Sequence, residues 1–275
     1  MFIGAHVSIS GGLDKSLDRI SEMGGNCLMT FASSPKSLKT TSFSPSQIEK
    51  YLIKKNTKKI NQHFFHGVYM INLASEKKSH VKASMDSLIF YQQLAAEIGA
   101  VGTIFHIGSH KGLGLSATID QIVASINYVL DSSPKNTRLI VENAAGQGGT
   151  VGSTFKEISQ IFMRIGDRSK IGFCLDTQHA FASGYSLKKV LLEVANFGLI
   201  NHLCAVHLND SASDFESKVD RHANWGEGKI GLEDLKAFIN DPRLQSIPLI
   251  LEVPGENHQG PRKHDIDLIK KLADN

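Results

Sequence analysis

Six side chains able to bind a metal interrupt runs that are otherwise apolar: His66, His106, Glu142, Asp176, His207 and Glu252. The carboxylates are the most telling, because LIVEN, FCLDT and LILEV contain no Lys or Arg. Burying an ionised carboxylate without a partner costs several kcal/mol. Three of them facing one another would be worse unless a cation from outside the sequence neutralises them. A lone histidine in such a run is more often a hydrogen-bonded core residue, so the histidines count only alongside the carboxylates. Three further candidates follow strand ends: His179, three residues past Asp176, and the D-x-H pair Asp220 and His222. In an extended segment, residues i and i+2 project to one side, so Asp220 and His222 can grip a single object. Imidazole nitrogens with carboxylate oxygens suit a borderline divalent metal, zinc above all.

These residues need a scaffold that brings distant segments together. Short apolar runs at Phe2–Val7, Cys27–Phe31, Phe64–Tyr69, Thr103–Ile107, Leu139–Asn143, Ile171–Asp176, His202–Asn209 and Pro248–Val253 read as strands buried on both faces, as a parallel sheet requires. Each is followed by a helical pattern: 14–23, 46–55, 79–98, 117–130, 154–165, 187–196, 232–239 and 263–273. Eight strands alternating with eight helices predict a (β/α)8 TIM barrel, an α/β fold, over residues 1–275 as one domain. An open doubly wound sheet is the alternative. In the barrel all nine candidates fall at or just after consecutive strand ends, the face on which active sites are built. His179 and His222 are expected in loops. The longest gap between strands, after His207, carries the D-x-H pair in an extended loop over 211–229.

Composition sets wide bounds. The chain has 275 residues, 41% hydrophobic and 21% charged, which fits an ordinary globular protein with a sizeable core. A formal charge of +3 neither demands nor excludes a polyanionic partner. Neither a signal-peptide pattern at the N-terminus nor an apolar run of about 18 residues is readable, so a cytoplasmic location without membrane contact is expected. Cys27, Cys174 and Cys204 read as reduced, buried thiols. The glycine-rich stretch after the fourth strand offers His110 and Lys111 to phosphate, and the hydroxyl-rich loop over 32–44 offers Lys36 and Lys39. Gly11-Gly12 suits a plain turn better than an anion site. Lys54, Lys55, Lys58 and Lys59 fall at the opposite end of the barrel and read as solubilising.

The segments IGAHVSISGGL, HGVYMINLAS, FHIGSH, VENAAGQG, FCLDTQHAFASGY, HLNDS, VDRHANWGEG and LILEV follow one another across nearly the whole chain. In that order they resemble the endonuclease IV family, zinc-dependent apurinic/apyrimidinic endonucleases of base-excision repair within the xylose-isomerase-like barrels. The resemblance implies three zinc ions: one on His66, His106 and Glu142, one on Glu142, Asp176, His207 and Glu252, and one on His179, Asp220 and His222. Glu142 and Glu252 are then expected at the heart of catalysis. It further implies cleavage of duplex DNA 5′ of an abasic site, leaving a 3′-hydroxyl and a 5′-deoxyribose phosphate, with trimming of blocked 3′ ends. Lys36, Tyr69, His110, Lys111 and Arg221 are the expected DNA contacts, Tyr69 entering the DNA at the lesion, and a monomer is expected. The chain departs from the family pattern at Gln178, where Cys or Ser is usual, at Ser186, where Asp is usual, and at Lys36 and Leu38, which stand for Arg and Trp. A sugar isomerase or epimerase holding one metal on Glu142, Asp176, His207 and Glu252 is the rival enzyme, though it has no use for the D-x-H pair. A non-catalytic DNA-binding protein would need no buried carboxylates at all.

Overall fold

Side chains alternate across a strand, so each apolar run commits half its residues to the barrel interior and half to the helices outside. The computed structural model describes residues 1–60 and 62–273. It realises the eight runs as parallel strands β1 (Ile3–His6), β2 (Cys27–Thr30), β3 (Gln62–His66), β4 (Gly102–Phe105), β5 (Arg138–Glu142), β6 (Ile171–Asp176), β7 (Leu203–His207) and β10 (Leu249–Leu251). They close into a barrel in the order β1-β10-β7-β6-β5-β4-β3-β2, each hydrogen-bonded in parallel to its neighbours. The TIM barrel expected from the alternation is the fold observed.

The interior is filled by Cys27, Met29, Phe64, Ile104, Ile140, Cys174, Ala205 and Ile250, which pack together as one buried cluster. Two residues beyond six of these stand His66, His106, Glu142, Asp176, His207 and Glu252. The period of two therefore lifts every strand-borne candidate onto the same inward face, one layer above the apolar plug. Side chains of the opposite parity, such as Phe65, Phe105, Val141, Phe173 and Val206, form the larger core between barrel and helices. That outer layer comprises α1 (Leu13–Glu22), α2 (Pro45–Lys58), α3 (Lys78–Glu97), α4 (Leu115–Asp131), α5 (Phe155–Phe162), α7 (Leu187–Asn196), α8 (Leu232–Ile239) and α9 (Lys263–Ala273). Helix starts follow local chemistry: α2 opens on Ser44 with Pro45 in its first turn and a reciprocal capping box to Gln47.

Several expectations change. His179 does not lie in a loop but on a short helix, α6 (Thr177–Ala182), whose first turn is capped by the Asp176 side chain accepting from His179 N at 2.7 Å. His222 belongs to a two-residue strand, β9 (His222–Ala223), paired antiparallel with β8 (Asp210–Ser211) outside the barrel. Cys27 and Cys174 are buried free thiols, whereas Cys204 is partly exposed and lies 3.3 Å from an Arg138 guanidinium nitrogen. Lys54 and Lys55 are not merely solubilising. The Lys54 ammonium bridges Asp14 and Asp18 at 2.7 and 2.6 Å, tying α2 to α1. Lys55 is buried and donates to the carbonyls of Ile98 and Gly99, covering the C-terminal end of α3. Gly11-Gly12 is a plain turn, closed by Gly12 N on Ile9 O at 2.9 Å.

His63, three residues before His66 and so of opposite parity, points away from the interior. It is fully buried between Thr30 Oγ1 at 2.9 Å and Tyr51 Oη at 2.6 Å. Burial, with the nearby Lys55 charge, pushes its pKa down to about 3. The unfolded chain takes up a proton at this ring below about pH 6.5 while the folded chain does not. The resulting stability is therefore complete above pH 6.5 and drains away as pH falls toward 3. In urea unfolding of metal-stripped protein, His63→Gln should be less stable at pH 7.5 by about 1–3 kcal/mol. Its stability should also fall less steeply than wild type between pH 6.5 and 4.5, and equal slopes would refute the assignment.

Candidate metal centre

At the mouth of the barrel the Glu142 carboxylate is the hub. It is fully buried, and its two oxygens face different partners. Oε2 lies 3.1 Å from His66 Nε2 and 3.4 Å from His106 Nε2, while Oε1 lies 2.9 Å from His207 Nδ1 and 3.3 Å from His179 Nδ1. Glu252 approaches the same His207 nitrogen with Oε2 at 2.9 Å. Asp220 Oδ1 reaches His179 Nε2 at 3.3 Å and His222 Nε2 at 3.6 Å, and His222 Nε2 is also 3.7 Å from Asp176 Oδ2. Candidate donor atoms of Glu142, Asp176, His207 and Glu252 all lie within 4.8 Å of one another, as do those of Asp176, His179 and His222. His66 and His106 each join such a group through Glu142. Eight of the nine residues singled out from the sequence thus join these groups, and Asp220 reaches them from the exposed excursion after β7.

The ring tautomers show what this layer lacks. His66, His179 and His222 each place Nδ1 on a backbone carbonyl: Gly67 O at 2.7 Å, Asn143 O at 3.0 Å and Glu252 O at 3.3 Å. A carbonyl only accepts, so each Nδ1 must carry a proton, and whenever such a ring is neutral its Nε2 lone pair points inward. That lone pair faces carboxylate oxygens, which are acceptors as well. For His179 and His222 the buried Nε2 has no hydrogen-bond partner among the described residues. An imidazole held by its outer N–H with its inner nitrogen free is the arrangement seen in metal-binding histidines. Among the described residues the protein can balance the carboxylates only by protonating rings. Burial pushes the Glu142 and Glu252 carboxyls up, but the imidazoles of His106, His207 and His179 around the first, and of His207 and His6 around the second, hold both well below the carboxylate range. Conversely, burial opposes charge on His179 and His207, and the neighbouring acids raise both well above the usual imidazole value. A divalent cation meets the same demand, and this nitrogen and oxygen donor set fits zinc.

Three supporting residues were not foreseen. His6, at the end of β1, sets Nδ1 3.0 Å from Glu252 Oε1 and so orients the carboxylate from behind. Asn209 donates to Asp176 Oδ2 at 2.7 Å and accepts from Glu252 N at 2.8 Å. Asn143 accepts from Asp176 N at 2.7 Å and returns a bond to Asp176 O. A readable signal existed: Asn143 directly follows β5 and Asn209 lies two residues past β7, both closing largely apolar runs.

Besides an opening of about 660 Å³ directly over His66, His106, His179 and Asp220, two clefts flank the centre. One, about 840 Å³, runs between the loops after β1, β2 and β10, past Phe31, Ser33, Phe43, Pro254 and Pro261. The other, about 390 Å³, runs past Asn72, Ser109, Lys111 and Gln147. Tyr69 lines both, 66% exposed, with its ring edge against Phe31. Lys36, Lys111 and Arg221 are exposed, as DNA contacts would be. The Nδ1 of His110 accepts from Gly112 N at 3.1 Å and Gly114 N at 3.2 Å, shaping the loop after β4. Leu38 packs against the core, so it braces the loop after β2.

Comparison with known proteins agrees with this construction. Residues 17–272 match the family model described as the xylose isomerase-like TIM barrel. A probable endonuclease 4 of Halothermothrix orenii is 37% identical over 280 residues, covering 99% of each chain. The crystal structure of endonuclease IV from Thermus thermophilus superposes with a TM-score of 0.88 at 28% identity, covering 100% of this chain and 99% of the other. A D-tagatose 3-epimerase-like protein superposes with a TM-score of 0.76 at 17% identity, over 100% of this chain and 96% of the other, which establishes a shared fold and nothing further. No helix among the described residues is long and apolar enough to cross a membrane. With identity of this extent along its whole length, the chain belongs to the endonuclease IV family.

Proposed function

We propose that this chain hydrolyses the phosphodiester 5′ of abasic sites in duplex DNA, leaving a 3′-hydroxyl and a 5′-deoxyribose phosphate. In the same reading it trims blocked 3′ ends and acts as a single-domain monomer in the cytoplasm. The observation that carries this is the sharing of Glu142: one buried carboxylate presents each oxygen to a different set of imidazoles. In this reading three zinc ions are held, on His66, His106 and Glu142, on Glu142, Asp176, His207 and Glu252, and on His179, Asp220 and His222. Zinc bound there supplies Lewis acidity toward phosphate oxygens and lowers the pKa of water.

The chain's own contribution is positional. Glu142 and Glu252 hold charge at the centre; His6 stops the Glu252 carboxylate from rotating away, and Asn209 fixes the Glu252 backbone N–H. Outer N–H bonds on His66, His179 and His222 direct each Nε2 toward the metal positions. An abasic nucleotide lacks a base to stack, so drawing it out of the duplex toward the barrel mouth costs little and selects the lesion. Tyr69 stands where it can fill the vacated space, with an exposed ring braced by Phe31.

Elemental analysis of purified protein should find close to three divalent ions per chain, zinc dominant. Full cleavage activity with a single ion would sink the trinuclear reading. His222→Ala should lower the abasic-site cleavage rate by about 10²–10³-fold while leaving duplex binding nearly intact. A near wild-type rate would remove Asp220 and His222 from the mechanism. In the loop after β2, Lys36→Arg with Leu38→Trp should tighten abasic-duplex binding by about 1 kcal/mol, because a guanidinium bonds in a planar fork and Trp braces more surface. Single-turnover cleavage at saturation should stay the same. A large change in that rate with unaltered binding would place the loop in the chemical step.

A further inference from the structure

Asp220 poses a mechanical problem. Its side chain is 52% exposed, on an excursion of about twenty residues between β7 and α8, yet its Oδ1 must meet His179 Nε2 at 3.3 Å. A flexible loop of that length would carry the carboxylate away, and ordering it at each binding event would weaken the third metal position. The excursion is fastened at two places by side chains that lie outside the cluster.

At its base, the fully buried Asp210 gathers four backbone N–H groups on one carboxylate. Oδ1 accepts from Ser211 N at 2.8 Å and Ile230 N at 3.0 Å, and Oδ2 accepts from Gly226 N and Gly228 N, both at 3.1 Å. The two ends of the excursion are thereby pinned to one residue. Gly228 is required by this closure, since a Cβ there would lie 2.5 Å from Asp210 Cγ. At its tip, the buried Gln178 amide donates to Val219 O at 3.1 Å, Ser213 Oγ at 3.2 Å and Ser211 Oγ at 3.3 Å. Ser213 Oγ donates to the same Val219 carbonyl at 2.7 Å. On the other side of that peptide, Asp220 N donates to Gln147 Oε1 at 3.2 Å. The peptide plane that aims Asp220 is thus held from both ends. Gln178 is also one of the positions where this chain departs from the residue usual in its family.

We propose that Asp210 and Gln178 are positioning residues that hold the 211–229 excursion in place and so secure the third metal position selectively. This rests on the trinuclear reading of the site. Asp210→Asn keeps shape but offers one acceptor oxygen and turns an NH₂ against two backbone N–H groups. Gln178→Met keeps volume and removes the donor to Val219 O. In both variants, competition with a chromophoric chelator should release one of three zinc ions at least about tenfold more readily, the scale on which outer partners of metal ligands act. The other two ions should keep wild-type affinity. In metal-free protein, amide hydrogen exchange over 211–222 should accelerate by about the same factor, while the barrel strands stay protected. Unchanged release and unchanged exchange would overturn the proposal, and so would equal weakening of all three ions, which reports general loosening. Should wild type itself hold fewer than three ions, the trinuclear reading fails, and the exchange of 211–222 alone then decides whether the two residues secure the excursion. If Asp210→Asn does not fold, Gln178→Met carries the test.

Discussion

Acceptors facing acceptors are the constraint on which this molecule turns. Glu142, Asp176 and Glu252 converge at the barrel mouth with imidazoles whose outer nitrogens are already bonded to backbone carbonyls. The layer is therefore short of positive charge by construction. Protons can supply it, which is why His179 and His207 are raised and Glu142 and Glu252 lowered in the protein alone. A metal supplies it better, since one divalent ion satisfies several lone pairs at once and leaves the rings neutral. Protons and metal then compete for the same nitrogens.

The barrel makes this unfavourable assembly tolerable by separating two tasks. Below the cluster lies the plug of Met29, Phe64, Ile104, Ile140 and Ile250, dry and tightly packed. Around the strands lies the thicker apolar layer with the helices. Together they bury enough surface for the mouth to carry charged groups at a local cost. His63 and His66 illustrate the division within one strand. Parity sends His63 outward to Thr30 and Tyr51, where burial keeps it neutral, and sends His66 inward to Glu142. Two histidines three residues apart thus face the outer core and the carboxylate layer respectively.

That parity explains how much could be read in advance. Eight alternating runs specify a closed barrel, and a carboxylate two residues beyond an inward apolar side chain must face the interior at the strand's end. Both inferences use only the local period. What escaped detection depends on distant partners. Helix α6 has six residues, too few to show a periodic pattern, and exists because Asp176 caps it. The β8–β9 pair is two residues long and is set by a contact across a wide loop. His6 acquires its place only when β1 closes the barrel against β10 and meets Glu252. Lys55 reads as a surface charge until the carbonyls at the end of α3 arrive above it.

Under the proposed function, recognition of the substrate would be coupled to the fold through Tyr69. Its ring stands between the two clefts, but its backbone N–H is bonded to Pro35 O at 2.9 Å. Pro35 belongs to the loop after β2, next to Lys36 and three residues before Leu38. Leu38 packs on the core, so the loop is anchored from below by a side chain smaller than the family's usual Trp. Under the proposed function, the loop's departures would act on DNA in two ways. Lys36 does so directly, as a flexible point charge in place of a planar fork. Leu38 does so at a distance, through the carbonyl that sets the height of Tyr69. Neither belongs to the carboxylate and imidazole layer, so on that reading variation here would tune which duplexes are gripped without altering the proposed metal ligands.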